Sequence, residues 1–461
     1  MKDILLKGIN YGQKSDIDFV DLRFQNKYLA KYENQDGDFS SKTGSRRGIS
    51  IRVLFKGCWG FSSTTALDFP NIKKTFDRAL KLSKGAASTI KDEEKVKLAE
   101  VKSHQDTVVS PRVKPLGDIP IDEKIALVQD AAKVFKDYEN IKTYQVSYDE
   151  IIEHKIIVNS EGTIIELQDM KPTLVATAVA AEGRKMAPYM EAWCKTKGYE
   201  LVKEHPLKEI ATFTAEQAMK NLEAKLPPGG PTKVVIDHTS VGIIAHEAIG
   251  HCSEADLVES GSFLKGKLDQ KVCSEKITLI DAPVMDDASG WLPYDDEGTK
   301  AKKVEIIKEG VLKGYLTNRE YAAKMGIAAT GNARAYSFKD DPIVRMRNTY
   351  IAPGDMTEDE LFEAVGDGIY VTGMMNGSAD TSGEFMVGTG QGRKIENGKL
   401  TDQYFIGPTM TGNAFEMLSS TLGVGKKLKL NLGRGFCGKT QPAKVDAGGG
   451  KLAVEVILGG Q

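Results

Sequence analysis

The chain has 461 residues and a mass of 50.3 kDa, with 41% hydrophobic and 27% charged residues, enough for more than one packed domain. Its 62 Lys and Arg against 64 Asp and Glu leave a net charge of −2, which offers no basic excess for nucleic acid or an acidic membrane surface. No run approaches the roughly eighteen apolar residues of a spanning helix, Ile4-Leu5-Leu6 is too short for a secretory core, and five scattered cysteines favour a reducing cytoplasm over a disulfide framework.

In chain order, residues 17–32 and 48–63 alternate apolar and polar and predict strands, and 71–84 predict a charged helix. The polar stretch 85–114 reads as a connector. Ile125, Val128, Ala131, Ala132 and Phe135 predict a helix from 121, followed by short strands at 144–148, 155–159 and 163–167. A further helix is expected over 207–224. Leu226-Pro227-Pro228-Gly229-Gly230-Pro231 is a breaker cluster that suits neither a helix nor a central strand. Beyond it, strands are expected at 233–237, 276–281, 303–307 and 311–316, with hairpin turns at Lys308-Glu309-Gly310 and Glu396-Asn397-Gly398. The class is α+β. Residues 1–110 and 111–226 are expected to form two α/β subdomains, and 227–461 a largely β, sheet- or barrel-like domain carrying one notable helix near 239–251.

That helix holds the sharpest chemical signal. His246-Glu247-Ala248-Ile249-Gly250-His251 follows an apolar helix start, with Thr239 or Ser240 as the N-cap. With only six histidines in the chain, a pair flanking a glutamate points to two imidazoles on a metal and a carboxylate that moves protons. The spacing is one residue longer than H-E-x-x-H, and positions five apart on a regular helix point about 140° from each other. Either an i→i+5 turn near Gly250 restores convergence, or the helix ends and His251 reaches back. The plainer alternative pairs Glu247 with His251 on a helix surface and leaves His246 in the core.

Two histidines need a third ligand. His238 and Cys252 stand nearby, and Cys437 lies in a glycine-rich stretch with Arg434 and Lys439, where positive neighbours favour the thiolate. Cys437 leads, with the other two open. Cys58 and Cys194 adjoin tryptophans and read as buried thiols, and Cys273 falls in a strand-like segment. Gly433 to Thr440 also fits the phosphate-binding pattern G-x-x-x-x-G-K-[ST], but Gln441-Pro442 and three later glycines oppose the helix that pattern requires. Asp286-Asp287 and Asp295-Asp296-Glu297 read as solvated carboxylates or a cation site. Arg334, Arg345 and Arg347 read as structural ion-pairing residues or as a site for a peptide carboxylate, with the first preferred.

The chain resembles the TldD/PmbA family of metallopeptidases, in its metal-binding TldD branch. The resemblance runs through 245–251 with Glu254 and Asp256, then 295–299, 310–316, 345–349, 395–399, Gly412-Asn413 and Cys437-Gly438-Lys439. It is looser in the N-terminal half, as at 18–24. Gly377-Ser378-Ala379-Asp380 departs from the family's usual Gly-Ser-Gly-Gln, which bears on substrate preference. The resemblance implies a Zn2+ site of His246, His251 and Cys437, with Glu247 as general base. It also implies a cytoplasmic peptidase acting on unfolded or extended peptides, as a homodimer or as a heterodimer with a related TldE/PmbA-type subunit. The rival readings are a non-catalytic assembly subunit and, more remotely, a nucleotide hydrolase.

Overall fold

The computed structural model describes residues 1–286 and 288–459. Helix α1 (Lys2–Gly12) precedes three antiparallel strands, β1 (Phe19–Gln35), β2 (Asp38–Phe55) and β3 (Cys58–Thr64), and α2 (Phe69–Ala87). After β4 (Gln105–Val109) and α3 (Ile121–Ala132) come β5 (Ile141–Asn159), β6 (Ile164–Glu182) and β7 (Lys185–Cys194), then α4 (Glu200–Glu204) and α5 (Leu207–Glu223). All seven strands form one sheet in the order β3-β2-β1-β5-β6-β4, with β7 also on β6. The pairing of β1 with β5 carries this sheet across position 110.

Strand β1 explains how the halves join. Val20, Leu22 and Phe24 face α1 and α2 in one apolar core. The alternate residues Asp21, Arg23, Gln25 and Lys27 are equally buried, because the C-terminal half covers that face. Arg23 donates to the carbonyls of Ser337 and Asp340, and Gln25 and Lys27 donate to Tyr336 O. An alternating pattern normally means one wet face; here the polar face is a seam between domains.

The short strands expected at 144–148, 155–159 and 163–167 belong to longer ones, since β5 and β6 each run 19 residues. The polar residues that seemed to interrupt them have partners inside the fold: Glu150 pairs with Lys124, and Glu153 with Lys27. The expected connector contains α2's end and β4, which pairs in parallel with β6.

The C-terminal half is mostly sheet, giving the α+β class. Strand β8 (Gly230–Ile236) lies inside a nine-stranded sheet, between Leu452–Gly459 and Gly368–Thr372. Its start lies in the breaker cluster, so Gly230 and Pro231 open a central strand after all. A proline is tolerated near a strand's first residue. A six-stranded sheet includes Leu279–Ala282, Asn348–Ile351 and Asp446–Gly449. Between the two sheets, in the largest core, lies α6 (His238–Ile243) with its continuation.

Candidate metal centre

Strand β8 delivers the chain to α6 at Asp237, whose carboxylate accepts from Ser240 N at 2.9 Å and from Gly373 N at 3.1 Å. Asp237 is thus the N-cap, two residues before Thr239 and three before Ser240. A Cβ on Gly242 would meet the backbone of Gly448 at 2.7 Å, so only glycine lets α6 lie this close to strand Asp446–Gly449. Val241, Ile243, Ile244, Ala245, Ala248 and Ile249 are buried around it, which fixes the helix about its axis.

Over Ile244–Gly250 the helix widens into a π-turn, and the N–H of His251 bonds to the carbonyl of His246. This i→i+5 step brings the two imidazoles to the same side, with ring centroids 5.2 Å apart. Gly250 keeps helical dihedrals, φ −58° and ψ −48°. Its role is space, because a Cβ there would sit 2.1 Å from Met346 Sδ and 3.0 Å from Ala245 O.

One donor atom each from His246, Glu247, His251 and Cys437 lies within 4.8 Å of the others. His251 Nε2 is 3.1 Å from Cys437 Sγ and 3.6 Å from Glu247 Oε2. His246 is fully buried, and neither of its ring nitrogens has a hydrogen-bond partner among the described residues. An orphaned buried imidazole is costly unless something satisfies it. Burial pushes the Cys437 thiol up, but the imidazoles of His246 and His251 outweigh it and bring its pKa down to about 4. Burial likewise disfavours a charged His251, yet Glu254 and Cys437 raise it to about 10. Two imidazoles and a thiolate are a donor set that fits a metal ion.

The surroundings orient these donors. Fully buried Glu254 accepts from His251 Nδ1 at 2.8 Å through Oε2, leaving Nε2 to face the centre. The same oxygen accepts from Lys439 Nζ at 2.9 Å, and Oε1 accepts from Met346 N at 3.2 Å. Burial raises the Glu254 carboxyl, but His251 and Lys439 more than reverse this and hold it at about 2. Cys437 lies on strand Phe436–Lys439, hairpinned to Gln441–Lys444. Arg345 Nη2 donates to its carbonyl at 2.9 Å, and Lys439 Nζ also reaches Asp256 at 2.8 Å and Val344 O at 2.8 Å.

This disposes of the phosphate-loop pattern. Thr440, at φ 54°, turns the chain into the second strand of a hairpin where the pattern needs a helix, and the lysine is spent on carboxylates. The other third-ligand candidates lie elsewhere. His238 Nδ1 contacts Gly449 O at 2.7 Å. Cys252 Sγ points at Ala248 O, 3.3 Å away, and burial pushes its thiol up to about 12. Cys58, Cys194 and Cys273 are buried and free, Cys273 in a bend between strands.

The acidic triad 295–297 is neither solvated nor a cation site. Asp295 accepts from the backbone of Glu297, Thr299 and Ala333. Asp296 meets Lys155 at 2.9 Å, and Glu297 meets Arg52 at 3.3 Å. Lys155 and Arg52 come from β5 and β2, so this loop clamps the N-terminal sheet to the C-terminal half. Asp287 of the other acidic pair lies outside the described residues. Arg347 pairs with Asp281 at 2.7 Å, while Arg334 and Arg345 donate mainly to carbonyls. Lys439, expected to favour the Cys437 thiolate, instead binds Glu254, Asp256 and Val344 O, while the imidazoles lower the thiol, and the parts of Glu254 and Arg345 at the centre were not expected. The available signal was Glu254 three residues after His251, one helical turn on.

Comparison with known proteins agrees with this architecture along the whole chain. Family models of the PmbA/TldA metallopeptidases match residues 20–83 (domain 1), 114–223 (central domain) and 229–457 (C-terminal domain). A metalloprotease of Methanothermobacter thermautotrophicus is 34% identical over 449 residues, covering 96% of each chain. A zinc metalloprotease TldD homolog of Saccharolobus solfataricus is 29% identical, covering 98% of this chain and 99% of its own. Among solved structures, TldE from Thermococcus kodakarensis superposes with a TM-score of 0.78 at 17% identity over 99% of each chain. A Thermotoga maritima structure reaches 0.82 at 22% identity, also over 99% of each. With three domain models in register and relatives matched nearly end to end, the chain belongs to the PmbA/TldD metallopeptidase family.

Proposed function

We propose that this protein is a zinc-dependent peptidase, with His246, His251 and Cys437 as metal ligands and Glu247 as general base. The observation that carries this reading is the convergence. Two imidazoles from a π-turn and a thiol 186 residues beyond His251 bring their donor atoms within 4.8 Å, and the buried His246 has no competing partner among the described residues. Imidazole and thiolate donors suit zinc better than magnesium or calcium, which take oxygen. The names of the relatives point the same way.

When bound, the ion supplies a Lewis acid for a peptide carbonyl and lowers the pKa of water. Glu247 accepts a proton from the attacking water at a carboxylate oxygen and returns it to the leaving amine nitrogen. Glu254 holds His251 Nδ1 throughout, so that the ring does not turn away. Strand Asn376–Ala379 ends the nine-stranded sheet, and a Cβ on Gly377 would lie 3.9 Å from Glu247 Cγ. An extended peptide adding to this edge would be held by its main chain, with little dependence on sequence. Unfolded or extended peptides are therefore the substrate class. For the assembly we propose a dimer, either of two copies or with a TldE/PmbA-type subunit, tested by light scattering of the chain alone and mixed with such a subunit.

Glu247→Ala, assayed for zinc content and peptide turnover together, tests the centre. Zinc retained with turnover down about 100-fold or more is expected. Undiminished turnover overturns the general-base role, and lost zinc makes Glu247 a ligand. Cys437→Ser should lower zinc occupancy; full occupancy removes the sulfur from the ligand set.

A further inference from the structure

A cavity of about 530 Å³ opens where β7, α5 and the segment 429–433 meet. Asn431 Nδ2 donating to Ala192 O at 3.2 Å and Lys195 Nζ donating to Leu430 O at 2.6 Å hold that segment against β7, so the walls are fixed on both sides. Tyr189, Trp193 and Phe213 give the cavity aromatic surface, with Phe213 44% exposed towards it. Tyr189 and Phe213 meet edge to face at 6.0 Å.

The lining is acidic. Its carboxylates are Glu191, Glu204, Glu209 and Asp237, and its basic residues are Lys429 and His205, the latter stacked on Trp193 at 3.8 Å. These acids are not equivalent. Glu204 pairs with Lys197 at 2.6 Å, and Asp237 is spent on capping α6. Glu191 forms no ion pair among the described residues, and Lys429 sits instead over the Trp193 ring at 4.7 Å. Burial pushes the Glu191 carboxyl up to about 7; Lys429 opposes the rise, Asp237 adds to it, and a hydrogen bond with the Trp193 side chain opposes it. A half-buried carboxylate in an aromatic cavity attracts a cation on a long apolar stem.

The cavity and the candidate centre are linked along the chain, although none of His246, Glu247, His251 and Cys437 lines the cavity. Thr372, Gly373 and Met374 line it and run directly into strand Asn376–Ala379. Gly433 lines it four residues before Cys437, and Thr239 lines it from α6, which leads to His246.

Resting on the peptidase reading, we propose that this cavity receives a lysine or arginine side chain of a peptide held along the Asn376–Ala379 edge, with Glu191 as counter-charge and Tyr189 and Phe213 against its stem. The main chain would then bind any extended peptide, and this cavity would select among them by charge.

The test uses three terminally blocked peptides identical except for a central lysine, norleucine or glutamate. For the zinc-loaded protein, kcat/KM should favour lysine over norleucine by about tenfold, and glutamate should be worst. Glu191→Gln should bring the lysine and norleucine values within about twofold, acting through KM. Lys429→Met, which removes the competing cation, should widen the gap and serves if Glu191→Gln fails to fold. Equal kcat/KM for all three peptides would overturn the proposal while leaving the peptidase reading intact. In the Glu247→Ala protein, the same peptides are titrated by Trp193 fluorescence, with Trp193→Phe as control. Lysine-selective quenching without any cleavage by the wild type would keep the cavity and reject the peptidase; unselective binding would reject the cavity.

Discussion

Two glutamates near the segment that leads to Cys437 are both withdrawn from water, yet their carboxyls shift in opposite directions. Glu254, fully buried, faces His251, Lys439 and the backbone of Met346, and is held at about 2. Glu191 borders the cavity beside another carboxylate, with its nearest lysine drawn to a tryptophan, and is pushed up to about 7. Burial alone would raise both carboxyls, the more buried Glu254 included, so partners decide the direction of each shift. The Glu254 cluster is complete within the chain and serves to aim an imidazole. The Glu191 wall sets four carboxylates against Lys429 and His205, which suits a cationic group brought from outside the chain.

Glu254→Gln should break the first half of that contrast with the largest effect. Removing one charge from a buried cluster leaves Lys439 and Arg345 under-compensated, a loss of about 3 kcal/mol in urea unfolding. The metal affinity should fall about 10- to 100-fold, because the amide holds His251 Nδ1 less firmly. Unchanged affinity would mean that His251 is oriented by packing alone. Lys439→Met should cost less, about 2 kcal/mol, since it removes contacts to Glu254 and Asp256 but leaves the Arg345 anchor on Cys437 O. Full zinc occupancy is expected after this change, measured by elemental analysis. Occupancy lost along with the lysine would show that the hairpin depends on it to present the sulfur.

The candidate metal cluster was more legible in the sequence than the cavity, for a physical reason. His246 and His251 are two of only six histidines, placed around Glu247 at a spacing that a widened helical turn can use, and the π-turn over Ile244–Gly250 is that turn. Cys437 was a candidate among several, because nothing local shows that a hairpin 186 residues away returns to the helix. The α+β class and the hairpin around 396–398 followed from alternation and turn residues. Strand lengths did not, since Glu150 and Glu153 read as loop residues until their partners Lys124 and Lys27 are known. For the same reason 295–297 looked solvated, although Arg52 and Lys155, far away in sequence, bury it. The cavity has no local signature: Glu191, Phe213, Asp237 and Lys429 come from four separate elements, and only the packing of α5 and β7 on the C-terminal half brings them together.

Glu191→Gln sharpens the contrast from the other side, and its sign depends on pH. The folded chain holds the Glu191 proton more tightly than the unfolded chain does, with a pKa of about 7 against 4.5. The unfolded state therefore binds fewer protons between these values, and stability falls as pH rises through that window. Below 4.5 the carboxyl is neutral in both states and the substitution has little to relieve. Above 7 the full cost of the unpaired charge is present, and glutamine removes it. Urea unfolding of the ligand-free protein should show Glu191→Gln close to wild type at pH 5 and more stable by about 1–2 kcal/mol at pH 8; this is less than the full shift would give, because the carboxylate borders an open cavity. An equal effect at both pH values would make the change a matter of packing. Destabilisation at pH 8 would mean that Glu191 is already paired, and the distinction between a complete cluster and an unfilled one would fall with it.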